Sequence, residues 1–553
     1  MPLKVPNLDD RNYDDLLAEA LARIPTHTPE WTNFNKSDPG VTLIEIFAFL
    51  TDNLLYRANQ IPERNRKKFL SLLGVPLQPA SPARGVCTIS NERGPQITMT
   101  LNEDLEVRAG PVPFRTDRGL DVLPIEVRPY YKQRIDNPDE RLVLYYNSLY
   151  KSYTGHPPVA ALSYYQTTQF SPRGTTGIDL GADTIDQGSL WLALMVRQAD
   201  AQTPDAAEQA REAIAGKTLS LGIVPWITDT GRELPAGGVA RPMGVSQIQF
   251  KIPNLPPGGM LPANASSRQA AYSTLLAAPV PTSPVIVEIT MPGDPAALRL
   301  WQNLDPLESG VGDFPPAIDD EKDASRVITW LRLQPTNSSE MRLLWVGANA
   351  VFVNQRARVQ NELLPQGTGE PDQAVKLSRS PVIEGSLGLR VTPTVGATQS
   401  WQSIDDLMSA GPEVPVPDPR LPAGTTVKNT QPVQVYQLDA EAGIVRFGDG
   451  AHGARPPLGA TLRADYDYSA GLAGNVGTGS IATAPALPAG LKVTNPLPTW
   501  GGADAESAGT GEKQIPRYLQ HRDRCVTVLD FETLARRTPG VAVGRVEVQP
   551  AWH

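Results

Sequence analysis

The sequence predicts a multidomain α+β protein in which an N-terminal helical segment is followed by several β-rich domains. The chain has 553 residues, which is more than a single hydrophobic core usually holds. Its 54 prolines and 46 glycines are spread along the whole length, a composition typical of many short strands joined by turns. Helical periodicity, in contrast, is strongest near the N-terminus, where apolar residues recur at steps of three and four.

Changes in this pattern divide the chain into segments. The proline-rich stretches at residues 75–82 and 412–422 are the clearest linkers, and they are plausible hinges. The predicted segments are an N-terminal helical segment suited to a core bundle (1–75), a small β region (76–128), a β-rich middle domain (129–340), a β-rich core (341–500) and a C-terminal α/β segment (501–553).

The N-terminal segment is predicted to hold consecutive helices. The first covers residues 9–24 and ends at Pro25, because a proline ring clashes with the preceding helical turn. The next begins at Asp38, whose carboxylate can accept bonds from a first turn, and at Pro39, where a missing N–H costs least. It runs as far as Pro62, and a further helix covers residues 63–73.

One face of the helix after Asp38 carries Leu43, Phe47, Leu50 and Leu54. Such a stripe is either the buried side of a helix packed within its own domain or the contact face of a helix that joins helices of other chains. Periodicity alone leaves both interpretations open. A basic cluster follows, explained either by a solvated helix end or by an acidic patch on a partner, and its members are Arg57, Arg64, Arg66, Lys67 and Lys68.

Strand signals fill most of the remaining chain. Residues 190–196 are predicted to form a buried strand, with residues 218–223 as its neighbour. A glycine turn at Gly110 predicts a hairpin, and residues 343–353 predict two strands around a turn at Asn349. This pattern favours β-rich domains.

The acidic residues around Gly448, Asp449 and Gly450 raise the question of a metal or acid–base site. Asp449 and His452 are close in sequence, but their spacing matches no EF-hand or zinc pattern. An Asp-Gly pair is explained by turn geometry, so we predict a structural turn in a hairpin that returns along residues 462–468. The alternative is a free β-rich module that binds or hydrolyses a glycan near Asp449.

Composition and motifs argue against several classes of protein. The net charge of −9 does not suit a nucleic-acid groove, and Cys87 and Cys525 are too far apart for a disulfide framework. The N-terminus lacks an apolar signal region, and no stretch approaches the roughly 18 apolar residues of a membrane span. No catalytic or phosphate-loop motif occurs. We therefore expect a non-enzymatic protein without metal or cofactor, made in the cytoplasm and not inserted directly in a membrane.

Several ordered motifs carry a resemblance to a known family. Residues 29–65 include Pro-Glu-Trp-Thr, then Ser-Asp-Pro-Gly-Val-Thr-Leu-Ile-Glu, and finally Ile-Pro-Glu-Arg-Asn. Nearer the C-terminus come Phe-Gly-Asp-Gly at residues 447–450, Gly-Gly-Ala-Asp-Ala-Glu-Ser at 501–507 and Asp-Phe-Glu at 530–532. These segments resemble the baseplate J-like proteins of contractile phage tails and contractile injection systems. The resemblance runs from about residue 29 to residue 543 and is weakest in the middle third.

This resemblance implies a structural role. Members of that family are wedge subunits, which assemble with a second wedge protein and a sheath-initiator-like subunit. Neighbouring wedges form a six-fold ring around the central hub and rearrange on contraction. For this chain the resemblance implies cytoplasmic assembly, followed by incorporation in a phage tail-like particle that is released or membrane-anchored.

Overall fold

The structure is a computed structural model of the chain, and it divides into two compact units. The first unit combines residues 1–81 with 503–550, and the second combines residues 82–502 with 551–553. The structure describes residues 9–59, 70, 73, 77–158, 162–171, 177–226, 247–263, 268–304, 308–336, 341–415, 431–522, 524–538 and 543–548.

The α-helices of the described residues lie near both ends of the chain and between strands. They are α1 (Tyr13–His27), α2 (Pro39–Asn59), α3 (Glu140–Thr154), α4 (Leu180–Asp183), α5 (Ala206–Ile214), α6 (Glu321–Ala324), α7 (Ala508–His521) and α8 (Val528–Arg536).

The β-strands all belong to the second unit. They are β1 (Arg84–Asn91), β2 (Met99–Leu101), β3 (Glu106–Ala109), β4 (Val112–Thr116), β5 (Leu120–Val122), β6 (Ile125–Arg134), β7 (Tyr165–Gln169), β8 (Ile178–Asp179), β9 (Leu190–Val196), β10 (Thr218–Pro225), β11 (Gln247–Pro253), β12 (Tyr272–Pro279), β13 (Val285–Thr290), β14 (Val327–Pro335), β15 (Arg342–Ala348), β16 (Ala350–Asn354), β17 (Ala357–Leu364), β18 (Ala374–Lys376), β19 (Gly388–Thr392), β20 (Gln399–Ser403), β21 (Val435–Asp439), β22 (Ile444–Phe447), β23 (Thr461–Tyr468) and β24 (Leu491–Thr494).

In the first unit, α1 packs against α2. Asn12 begins α1 with a reciprocal cap, because its side chain accepts from the Asp15 N–H and the Asp15 side chain accepts from the Asn12 N–H. The predicted end at Pro25 is wrong, since α1 continues to His27. The proline removes one donor, but the Thr28 N–H still reaches the Ile24 carbonyl at 2.7 Å and closes the last turn.

The C-terminal helices belong to the same unit. Ser507 caps α7 and Thr527 caps α8, each through its side-chain oxygen. Leu70 is buried against Leu77, Ile515 and Tyr518 of this unit. The predicted helix at residues 63–73 otherwise lies outside the described residues.

The second unit is built from antiparallel sheets, with one parallel pair between β20 and β21 among the described strands. The strand orders are β24-β1-β16-β4-β3, β13-β10-β15-β8, β12-β11-β14-β9-β6-β7, β17-β23-β19-β20-β21-β22-β18 and β2-β5. The predicted α+β class, with helices followed by β-rich structure, is confirmed.

Strand β9 lies inside the six-stranded sheet and is buried at every position. Leu190, Leu192 and Leu194 point to one core, while Trp191 and Ala193 point to another on the opposite face. The predicted buried strand is therefore confirmed. Its predicted neighbour is wrong: β10 pairs with β13 and β15 in a different sheet, and β9 pairs with β6 and β14.

Turns were predicted more accurately than strand partners. The hairpin of β3 and β4 around Gly110 is confirmed, and Asn349 has a positive φ of 50° between β15 and β16. The expected hairpin after Asp449 is wrong, because β22 pairs with β18 and β21 while β23 pairs with β17 and β19. The predicted domain boundaries stay a prediction. Sheets join strands from both sides of residues 128 and 341, as when β1 pairs with β16.

Candidate functional site

The candidate site is an exposed apolar face on helix α2. All four residues predicted for this face are exposed, with Phe47 at 66% and Leu54 at 62% of their full accessible area. Ile46 lies one turn from Leu43 and Leu50 and is also exposed. We call this set the α2 face, and its members are Leu43, Ile46, Phe47, Leu50 and Leu54.

The opposite side of α2 is the buried one. Val41 and Ala48 are buried, and Ile44, Thr51 and Leu55 are partly buried. These positions follow the same helical spacing, about half a turn away from the α2 face. The helix therefore has two apolar sides, and packing among the described residues covers only one of them.

The start of α2 is fixed by a compact arrangement of Trp31, Asp38 and Gly40. The Asp38 carboxylate accepts the Gly40 N–H at 2.7 Å, as expected of a helix cap. A Cβ atom at Gly40 would lie 2.5 Å from Cζ2 of Trp31, so the glycine makes room for the indole. The Ser-Asp-Pro-Gly motif thus has a local purpose, which is to hold the first turn of the helix that carries the α2 face.

The basic cluster predicted beside this face cannot be placed with it. Arg64, Arg66 and Lys67 lie outside the described residues, and so does the side chain of Arg57. Their contact with an acidic partner stays a prediction.

The residues at Gly448, Asp449 and Gly450 form a tight turn. Asp449 Oδ1 accepts the N–H groups of Ala451 at 2.8 Å and His452 at 2.6 Å, and these bonds, above all the one from His452, lower the pKa of the carboxyl. Gly450 has a φ of +93°, and a side chain at Gly448 would overlap the carbonyl oxygens of His452 and Gly453. The carboxylate is thus occupied by its own turn.

The other acidic residues near this turn in sequence have different partners. Asp467 pairs with Arg358 at 2.8 Å, and Asp465 pairs with Arg390. Within the described part of the chain, no group of three or more His, Cys, Asp or Glu side chains could hold a metal ion.

Sequence reasoning missed a buried ion-pair network in the second unit. Asp186 accepts from Arg332 Nη2 at 2.9 Å and from Trp191 Nε1 at 2.7 Å, and Lys132 Nζ lies 3.7 Å from its Oδ2. Burial lowers the pKa of Lys132 to about 8 and raises the pKa of Asp186. These residues come from strands and loops far apart in sequence, so no spacing could have revealed the network.

The comparisons with protein families and curated proteins do not assign this chain to a known family. No protein-family profile matches the chain, and no curated protein is significantly similar to it. The resemblance to baseplate J-like proteins therefore stays a prediction from the motifs. No described helix has both the length and the apolar content needed to cross a bilayer.

A solved structure shows a remote likeness. It is a chain of the TssK-TssF-TssG baseplate subcomplex of the type VI secretion system, studied by cryo-electron microscopy. The two chains are 12% identical, with 77% of this chain and 67% of that chain covered and a TM-score of 0.24. A likeness of that size carries no argument about the role of this chain.

Proposed function

We propose that this chain is a non-enzymatic structural subunit of the baseplate of a contractile tail or contractile injection system. The observation that carries the proposal is the exposed α2 face. Several large apolar side chains in one row on one helix face are unusual on a protein that acts alone, and such a patch is typical of a protein–protein contact.

The form of the α2 face indicates the kind of partner. Its members follow the spacing by which one helix docks against another, and covering each large side chain would contribute roughly 1.5–3 kcal/mol. Since the inner side of α2 is already buried, a partner helix laid along the outer side would complete a small bundle. We therefore expect an amphipathic helix of another subunit in this place.

The resemblance of the motifs supports the finer assignment. In this proposal the chain is a wedge subunit that assembles with a second wedge protein and a sheath-initiator-like subunit, next to neighbouring wedges and the central hub. The assembly is six-fold, forms in the cytoplasm, and enters a phage tail-like particle. The proline-rich stretches at 75–82 and 412–422 are the proposed hinges during contraction, although residues 75–76 and 416–422 lie outside the described residues.

The test is co-sedimentation of the chain with the particle from a gently lysed native extract, followed by mass spectrometry of the pellet. Replacing Phe47, Leu50 and Leu54 together by Asp should remove the protein from the pellet while leaving its own fold intact. The matched control replaces exposed apolar residues of the second unit, Leu363 and Leu458, by Asp. We expect this control to sediment normally.

Two results would contradict the proposal. One is that the wild-type chain stays in the supernatant of cells that make contractile particles. The other is that the α2 variant and its control sediment equally. Exchanging Arg64, Arg66 and Lys67 for Glu tests the basic cluster separately, and unchanged co-sedimentation would count against an acidic partner patch.

A further inference from the structure

The second unit contains a cavity of about 670 Å³ beside the buried ion-pair network. Helix α3 provides one wall, and the loop at residues 308–314 provides another. The volume falls within the range of small-molecule sites, roughly 300–1,000 Å³. Aromatic and aliphatic side chains dominate the lining, among them Tyr145, Tyr146, Leu149, Tyr150, Tyr165 and Phe314.

The charged groups of this cavity are already neutralised by one another. Arg268 Nε lies 2.6 Å from Glu308 Oε1, and both side chains are buried. Asp186 is held by Arg332 and lies close to Lys132, as described above. A phosphate or ammonium group would therefore gain no unpaired counter-ion from these residues, so the walls favour an uncharged ligand.

The walls also favour a ligand that carries hydroxyl groups of its own. The tyrosine side chains that line the cavity combine an aromatic ring with a phenolic hydroxyl, and Ser163 adds another hydroxyl. A purely apolar ligand would displace water from the hydroxyls of Tyr145, Tyr146 and Ser163 without replacing its hydrogen bonds, which weakens binding. A sugar ring suits both demands, because its C–H face can lie on an aromatic ring while its hydroxyls face polar groups.

The loop at residues 308–314 packs closely against the side chain of Tyr165. Gly310 has a φ of +82°, and a side chain there would overlap the hydroxyl of Tyr165. The same hydroxyl donates to the Ser309 carbonyl at 3.4 Å. Tyr165 is thus held in place before any ligand arrives, which reduces the entropy lost on binding.

We propose that this cavity binds an uncharged pyranose sugar, as one residue of a neutral glycan. Tyr145 of α3 would stack on the sugar, with Tyr146, whose ring is perpendicular to it, and Tyr150 beside it, and the 308–314 loop would form the opposite side. This site is separate from the α2 face and from the Asp449 turn, so it can be tested independently of the proposed baseplate role.

The experiment uses the labelled full-length chain on a glycan array that presents neutral, sialylated and sulfated glycans. The neutral glycan retained best is then titrated by calorimetry. Tyr145→Ala is the informative variant, because Tyr145 lines the cavity but is 56% exposed, so its truncation should spare the fold. We expect about a tenfold loss of affinity. Leu144→Ala is the matched control: Leu144 is next in sequence and exposed, and we expect an affinity within twofold of wild type.

A second variant fills the cavity with a larger side chain, whereas Tyr145→Ala removes a lining side chain. Val311 lines the cavity and is more than half exposed, so Val311→Arg should abolish binding while the thermal unfolding profile stays unchanged. Retention of no neutral glycan would overturn the proposal. A preference for sialylated or sulfated glycans would also overturn it, as would unchanged affinity in both Tyr145→Ala and Val311→Arg.

Discussion

Strand β9 and helix α2 are both strongly apolar, but β9 is buried at every position whereas one face of α2 is exposed. The strand is enclosed because the six-stranded sheet has a hydrophobic core on each side, so alternate residues of β9 enter different cores. The helix has α1 on one side, and its α2 face is exposed. Apolar content therefore does not determine burial. Burial is determined by how many elements of the fold pack against the segment. An apolar surface that no such element covers indicates a contact site for a partner.

The largest expected effect is the loss of a β9 side chain. Trp191 is fully buried, donates to Asp186 and lies 4.9 Å from the Arg332 guanidinium, measured to the ring centroid. We expect Trp191→Ala to lower the free energy of unfolding of the second unit by about 3–5 kcal/mol, because a cavity forms and the carboxylate loses a donor. Hydrogen exchange across β9 and its partner β14 would measure this loss, and protection equal to wild type would contradict it.

The next prediction concerns how the stability of the second unit depends on pH, and it comes from the same buried ion-pair network. Burial lowers the pKa of Lys132 to about 8, from 10.5 in an exposed lysine. Between these values the unfolded chain binds more protons than the folded chain at this group, so Lys132 should make the second unit more stable as pH rises from about 7 to 9. Above pH 9 the raised pKa of the buried Cys87 thiol, followed by the raised pKa values of Tyr165 and Tyr272, acts in the opposite direction. Between pH 7 and 9 the gain from Lys132 is roughly 1.3 kcal/mol, because one pKa unit corresponds to about 1.4 kcal/mol.

Denaturant unfolding at intervals between pH 7 and 9 would measure this rise. The pKa of Lys251 is also lowered by burial, so it contributes in the same direction. Lys132→Met is the control, since it removes the buried ammonium and leaves Asp186 paired with Arg332. An equally steep rise in this variant would assign the effect to other groups.

The contrast between β9 and α2 also explains how far the sequence could predict the fold. Most local signals were reliable, although the helix end predicted at Pro25 was not: the buried strand at 190–196, the turn at Gly110 and the start of α2 at Asp38 and Pro39 all depend on neighbouring residues. Strand partners were not, because β9 and β10 belong to different sheets although they are near in sequence. Pairing depends on long-range contacts that periodicity does not contain.

Only part of the candidate site could be predicted from the sequence, because burial of a helix face also depends on long-range contacts. The spacing of Leu43, Phe47, Leu50 and Leu54 identified a helix face, but whether other residues cover that face depends on tertiary packing. The tyrosine-lined cavity gave no signal, since α3, β7 and the 308–314 loop are widely separated in sequence. Its residue types are common in ordinary cores, and only their convergence on a cavity distinguishes them.

A smaller effect is expected at the start of α2. Asp38→Ala removes the oxygen that accepts the Gly40 N–H, and we expect the first unit to lose about 1 kcal/mol of stability. Asp38→Asn keeps a side-chain oxygen and should cost only a few tenths of a kcal/mol. Hydrogen exchange of the first turn of α2 would separate the two variants, and equal losses in both would show that the cap oxygen is not the cause.

The smallest effect on stability is expected on the α2 face itself. Phe and Ser have similar helix propensities, and Phe47 is mostly exposed, so Phe47→Ser should change the stability of the isolated chain by less than about 0.5 kcal/mol. Ala48→Ser is the matched comparison one residue away, where a hydroxyl enters the buried side of the same helix and should cost more. If Phe47→Ser instead destabilises the isolated chain as strongly as a core truncation, the α2 face is already covered within the chain. A partner is then not needed to explain it.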